Sequence, residues 1–234
     1  MGHKTELRYF QYLKDKSVVI VGPANYLEGE CRGKEIDGFD IVVRLNQALP
    51  IPNIDDRGKK TNVLYHTLFA KHQVYKDRIY IKQEDLINKG DVSLWRNESV
   101  KWLITYEHGL WAKRLQIVKP HIEKMFWTTM STSFYRFLKF SCGTIPNTGL
   151  CAICHMLSAD IKSLHVLGFD FHATGAYYMN DDIGNFSSAR EMSEQWHDTK
   201  IQIEYLYKIW QNDDRLFIDE HLEEVLLKIL GDNK

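Results

Sequence analysis

The stretch Ser17–Asn25 reads SVVIVGPAN. The β-branched run Val18–Val21 leads straight into Gly22-Pro23, a pattern that predicts a strand buried on both faces and closed by a sharp turn. The same kind of run recurs at Ile41–Leu45 (IVVRL), Asn62–His66 (NVLYH), Lys101–Tyr106 (KWLITY), Leu164–Phe169 (LHVLGF) and Arg215–Ile218 (RLFI). Between these runs the apolar residues follow helical spacing, over about Lys113–Met125, Ser131–Phe140, Gly149–Ala159, Asp198–Trp210 and Glu220–Leu230. Strands that alternate with helices predict an α/β fold: a Rossmann-like domain with a mostly parallel central sheet flanked by helices. The long polar stretches Asn53–Thr61 and Ala173–Ser188 read as loops at strand ends rather than linkers. Residues 1–234 are therefore expected to form a single domain.

Composition narrows the function. The chain has 234 residues, 44% hydrophobic and 26% charged, which suits a globular protein with one sizeable core. Its 30 basic and 31 acidic side chains leave a net charge of −1, so no general positive field is available for nucleic acid. The N-terminal MGHKTELRYFQYLKDK has no apolar leader, and no apolar run is long enough to span a membrane. These features predict a cytoplasmic protein in which Cys31, Cys142, Cys151 and Cys154 are free thiols.

Cys151–His155 spells CAICH, the attachment pattern of a c-type haem. That attachment takes place in exported proteins, and this chain carries no export address. The preceding Asn147-Thr148-Gly149 reads as the start of a helix. On that helix Cys151 and Cys154 share a face as small buried residues. No second ligand pair completes a zinc site, so neither cofactor nor metal is expected. His66, His72, His108, His121, His155, His165 and His221 show no mutual metal spacing and read as surface or core residues.

In an open parallel sheet, ligands bind at the C-terminal ends of the strands. Gly22, Pro23, Ala24 and Asn25 form the first such turn, where small residues let a phosphate or ribose approach the backbone. The turn has neither the GxGxxG spacing nor a Gly-Lys-Ser/Thr ending, and by itself it reads equally as a plain tight turn. Arg44 and Asn46 lie on one face at the end of the second strand. They suit either an internal brace or a ligand contact.

Taken whole, IVGPANYLEGECRGKEIDGFDIVVRLNQA followed by DDRGKKTNVLYH resembles the large sialylmotif of the sialyltransferases, glycosyltransferase family 29. The matches are Gly22, Gly33-Lys34-Glu35-Ile36-Asp37, Arg44-Leu45-Asn46 and Asp56-Arg57-Gly58-Lys59-Lys60-Thr61. Ile145-Pro146-Asn147-Thr148-Gly149-Leu150, an apolar helix and the strand ending at Gly168-Phe169 resemble the small sialylmotif. His197 in QWHDTKIQIEYL resembles the very short motif, and Tyr177-Tyr178 falls where the third motif would lie.

The resemblance implies a sialyltransferase-like variant of the GT-A fold. It also implies inverting, metal-independent transfer of sialic acid or a related ulosonic acid from a CMP-sugar to a hydroxyl of a glycan or glycolipid acceptor. Donor contacts would come from Gly22, Pro23, Ala24, Asn25, Asn46, Asn147, Thr148, Gly149 and Gly168. Tyr177 and Tyr178 would form an acceptor platform or pack within their loop. His197 would be the general base, kept neutral by the positive end of the helix that Asp198 caps. This sequence departs from the family pattern at several points. Pro23-Ala24 stands in place of Asn-Ser, Ala176 in place of the third-motif histidine and Gln202 in place of the very-short-motif glutamate. The family's motif cysteines fall near Val18 and near Ala159 or Asp160. A CMP-Kdo-type transferase and a catalytically inactive CMP-binding module therefore remain as alternatives.

Overall fold

The computed structural model describes residues 2–68, 74–75, 78–79, 86–107, 109–171 and 197–231. Helix α1 (Gly2–Leu13) leads into β1 (Ser17–Val21), and a 3-10 turn (Asn25–Leu27) and α2 (Gly33–Gly38) precede β2 (Ile41–Leu45). Next come α3 (Ile54–Arg57), β3 (Val63–Tyr65), a small antiparallel pair β4 (Val74–Tyr75) and β5 (Arg78–Ile79), and α4 (Lys89–Asn97). The chain continues through β6 (Trp102–Tyr106), α5 (Gly109–Ile122), β7 (Phe126–Met130), α6 (Thr132–Cys142), α7 (Thr148–Leu157) and β8 (Ser163–Leu167). It closes with α8 (Thr199–Asn212), β9 (Leu216–Ile218) and α9 (Glu220–Gly231).

Seven strands form one sheet in the order β7-β6-β3-β2-β1-β8-β9, and every pairing in it is parallel. The sheet is thus wholly rather than mostly parallel. Alternation along β1 explains why both faces are covered: Val18 and Ile20 enter one core, Val19 and Val21 another. The first core joins the sheet to α1, α6, α7, α8 and α9. On the opposite face Leu64 and Leu103 pack with α4 and α5 through Val92, Trp95, Val118 and Ile122. From β1 the chain steps outward through β2, β3, β6 and β7, then returns to the other side for β8 and β9. The order therefore reverses between β1 and β8, where such sheets open a crevice.

The expected strands and helices are present within a few residues. Strand β7 was not anticipated, because FWTTM follows helix α5 so closely and its threonines mask the apolar pattern. Those threonines are buried: Thr128 Oγ1 lies 3.1 Å from Thr5 Oγ1 on α1. Helices α1 and α4 also escaped the periodicity reading. Asn88 and Asp91 cap α4 reciprocally, fixing its start. Among the described residues no helix is long and apolar enough to cross a membrane.

CAICH is a stretch of α7. Cys151 and His155 are fully buried, and burial pushes the Cys151 thiol up to about 12. Both ring nitrogens of His155 are occupied: Nδ1 lies 2.9 Å from Tyr65 Oη and Nε2 lies 3.0 Å from Glu6 Oε1. Tyr9 Oη continues the chain to Tyr65 at 3.1 Å. No imidazole nitrogen is left for iron, so the haem pattern is accidental. The network instead ties α1 to β3 and α7. Burial holds the His155 pKa below its ordinary value, against the raising effect of Glu6. A depressed imidazole contributes stability that is present above the unfolded value of about 6.5 and is lost as pH falls below it. Replacing His155→Phe is expected to cost about 2 kcal/mol by denaturant unfolding at pH 7.5 and to flatten the decline of stability below pH 6.5.

Candidate active site

The switch point between β1 and β8, where sheets of this kind bind ligands, is shaped by two glycines. Val21 pairs with Leu167, so Gly22 and Gly168 leave the sheet at the same level. Gly22 N–H donates to Leu167 O at 2.8 Å and Ala24 N–H donates to Gly168 O at 3.0 Å. A Cβ on Gly22 would stand 2.3 Å from Gly168 O, and one on Gly168, whose φ is +72°, would stand 2.7 Å from Gly22 O. Neither position admits a side chain.

Phe169 brings in the third element. Its ring would lie 2.7 Å from a Cβ on Gly22 and 2.5 Å from a Cβ on Gly149. The ring therefore spaces the β1 turn from the first turn of α7. That turn is capped by Asn147, whose Oδ1 accepts from Leu150 N–H at 2.8 Å. Thr148 and Gly149 are first-turn residues, so their N–H groups have no partner within the helix and suit an anion. No acidic side chain lies in this turn to compete. Tyr106, at the end of β6, hydrogen-bonds the Thr148 side chain.

Helix α3 and the polar loop after it brace the β1 turn. Arg57, 1% exposed, donates to Gly22 O at 3.4 Å and Ala24 O at 2.8 Å. Arg44, equally buried, donates to Thr61 Oγ1 and to the carbonyls of Arg57, Gly58 and Lys60 at 2.8–3.1 Å. Asp37 accepts from the N–H groups of Lys59 and Lys60, and Lys60 Nζ donates to Phe39 O. Asp56 accepts from Gly29 N–H and Cys31 N–H, and these bonds hold its carboxyl below the usual range. The motif residues Asp37, Arg44, Asp56 and Arg57 thus form a scaffold for the turn.

Among the residues singled out in the sequence, the backbone groups of Gly22, Ala24 and Gly168 already have protein partners and shape the crevice. Asn25 differs: its Oδ1 is buried with no hydrogen-bond partner among the described residues. Asn46 follows β2 in the left-handed region, with φ of 47°. Its Oδ1 accepts from Thr67 N–H at 3.2 Å, an arrangement that leaves Nδ2 as a donor beside the crevice strands. Pro23 lies within the same turn. Tyr177, Tyr178, His172 and Ala176 lie outside the described residues.

His197 sits just before the α8 cap Asp198 and is joined to the loop that starts α7. Its Nδ1 is 2.8 Å from Ile145 O, so Nδ1 carries the proton and Nε2 holds the lone pair of the neutral ring. Burial lowers its pKa, partly offset by the Ile145 carbonyl. The same loop is pinned twice more: Asp198 N–H donates to Thr144 Oγ1 at 3.3 Å, and Asn147 N–H donates to Gln202 Oε1 at 2.8 Å. Gln202 therefore locks α8 to α7. A carboxylate is not needed for that bond. The sequence pattern gave no sign of the locking roles of Gln202, Arg57 and Phe169. Among the described residues no cluster of three His, Cys, Asp or Glu could hold a metal.

A wholly parallel seven-stranded sheet flanked by helices, with two glycines in close contact at its switch point, defines an α/β domain. The chain belongs to glycosyltransferase family 29, the sialyltransferases, whose family model matches residues 4–212. The type 2 lactosamine alpha-2,3-sialyltransferases of Homo sapiens and Pan troglodytes are each 23% identical over 186 residues, covering 70% of this chain and 52% of their own. The chain thus spans about half the length of the curated relatives it matches. Its fold is similar to that of a mammalian sialyltransferase crystal structure, with a TM-score of 0.57, 14% identity and coverage of 93% of this chain and 78% of the other. It is also similar to the sialyltransferase CstII from Campylobacter jejuni, solved with the substrate analogue CMP-3FNeuAc, with a TM-score of 0.52, 15% identity and coverage of 87% and 81%.

The close approach at the switch point predicts a contrast between two glycines. Gly22→Ala is expected to lose about 2–3 kcal/mol in denaturant unfolding through overpacking. Gly38→Ala, where a Cβ meets nothing within 4 Å, is expected to be neutral or stabilising.

Proposed function

We propose that the chain transfers sialic acid, or a related 2-keto sugar acid, from a CMP-activated donor to a glycan hydroxyl with inversion and without a metal. The observation that carries this reading is the attachment of a neutral His197 to the loop that begins α7. That attachment ties a histidine to the loop leading into a helix N-terminus suited to an anion, which supports the reading.

In the proposed reaction the acceptor oxygen attacks the anomeric carbon as the bond to CMP breaks. His197 Nε2 takes the hydroxyl proton, and its Nδ1–H bond to Ile145 O keeps the tautomer that makes this possible. Negative charge gathers on the departing phosphate. The Thr148 and Gly149 amides at the positive end of α7 stabilise it, with Asn46 Nδ2 as a side-chain donor. Asn25 Oδ1, buried and unpartnered among the described residues, accepts from a hydroxyl or amino group of the nucleotide. The family membership and the nucleotide-sugar analogue bound by the Campylobacter jejuni enzyme support CMP-sialic acid as the first donor to test. The cytoplasm is the proposed compartment, supported by four cysteines that are all free.

The test is CMP release from CMP-sialic acid and from CMP-Kdo with EDTA present. His197→Ala is expected to lower release at least about 100-fold while CMP affinity stays within a few-fold of wild type. Release equal to wild type would remove His197 from the chemistry, and EDTA-sensitive release would remove metal independence. CMP binding without turnover on either donor would favour the binding-module alternative. Because burial lowers the His197 pKa, the base stays unprotonated below the ordinary imidazole value. The acidic limb of kcat/KM is therefore expected below pH 6.5.

A further inference from the structure

Gly168 is tied through the β1 turn to a residue far along the chain. Tyr26, in the 3-10 turn after β1, accepts from Gly168 N–H on its hydroxyl at 2.7 Å and donates its proton to Asp219 Oδ2 at 2.5 Å. Asp219 stands between β9 and α9, beyond residue 212 where the family match ends. Its other oxygen accepts from Leu222 N–H at 2.9 Å, and Arg32 Nη1 lies 3.7 Å from Oδ2. The ring of His221 stacks on Tyr26 with centroids 3.9 Å apart and planes at 22°.

A phenol has one proton to give. With that proton fixed on Asp219, the oxygen lone pairs remain for Gly168 N–H. Burial and the Asp219 charge push the Tyr26 pKa far above its ordinary value, so the hydroxyl stays protonated. The peptide it grips is tightly constrained, since Gly168 is left-handed and packed against Gly22. A rotation there moves Phe169, and Phe169 spaces Gly22 from Gly149 at the start of α7.

We propose that Tyr26 and Asp219 are positioning residues for the nucleotide donor, through which the segment after residue 212 sets the width of the β1/β8 crevice. The inference rests on the CMP-donor reading above. It differs from a purely structural role in its consequence: loss of the relay weakens donor binding more than it slows the chemical step, because His197 is held by a different loop.

The experiment compares wild type, Tyr26→Phe and Asp219→Ser, using CMP in calorimetric titration and CMP-sialic acid in donor hydrolysis. Tyr26→Phe keeps the ring and its stack and deletes both hydrogen bonds. Asp219→Ser keeps a helix-capping side chain but is too short to reach Tyr26. Each variant is expected to raise the CMP Kd and the donor KM about tenfold, with kcat at saturating donor within about twofold of wild type. Val92→Ala, destabilised but buried in the core on the opposite face of the sheet, is expected to leave both constants unchanged. Constants within twofold of wild type in either folded variant, or a fall in kcat without a rise in KM, would overturn the proposal. If one variant does not fold, the other decides. Failure of the wild type itself to bind CMP would overturn the donor reading and this inference with it.

Discussion

The site depends on how closely β1 and β8 approach where the strand order reverses. Their parallel register carries Gly22 and Gly168 out of the sheet side by side, and no side chain fits at either position. Phe169 then follows immediately and separates the β1 turn from α7 by the thickness of one ring. The β1 turn and the α7 N-terminus are consequently placed by one set of contacts, while His197 is held separately through Ile145 O. A methyl group at Gly22, Gly149 or Gly168 would force the β1 turn, β8 and α7 apart.

Irregular backbone over the strand ends must find partners for its polar groups. Much of that work is done by charged side chains, of which Arg44, Asp56 and Arg57 are buried. Arg44 and Arg57 spend their donors on backbone carbonyls, and Asp37 and Asp56 accept from backbone N–H groups. The polar loop Asn53–Thr61 is therefore a brace seated under the crevice rather than a solvated excursion. Helix α7 is fixed at both ends. Gln202 and Phe169 hold its first turn, and His155 ties its last turn to Glu6 and Tyr65. Rigid mounting of this kind keeps the Thr148 and Gly149 amides oriented before any ligand arrives.

Much of this was legible in the sequence where one residue type serves one physical purpose. The buried runs at Val18–Val21 and Ile41–Leu45 could only be interior strands, and Asn147-Thr148-Gly149 could only open a helix. Gly22 stood out at a strand end, whereas Gly168 and His197 drew attention only through the resemblance to the family's motifs. Legibility failed where the purpose depends on what a residue meets in space. FWTTM was opaque because Thr128 and Thr129 are buried by packing under α1, which alternation cannot foresee. CAICH looked chemical because a pattern does not show that Glu6, 149 residues away, already occupies His155. Gln202 looked like a loss. In the fold its amide oxygen accepts from Asn147 N–H, a bond that requires no charge. Tyr26 gave no sign of its tie to Asp219, because a separation of 193 residues leaves no local trace.

The most direct measurement of the central claim is amide hydrogen exchange on the uniformly labelled protein with and without saturating CMP. If the nucleotide occupies the crevice at the switch point, Asn25, Asn46, Thr148 and Gly149 gain protection on binding, while Val92 and Trp95 on the opposite face do not change. Protection confined to residues remote from the β1, β2 and α7 ends, or none at saturating nucleotide, would contradict the account.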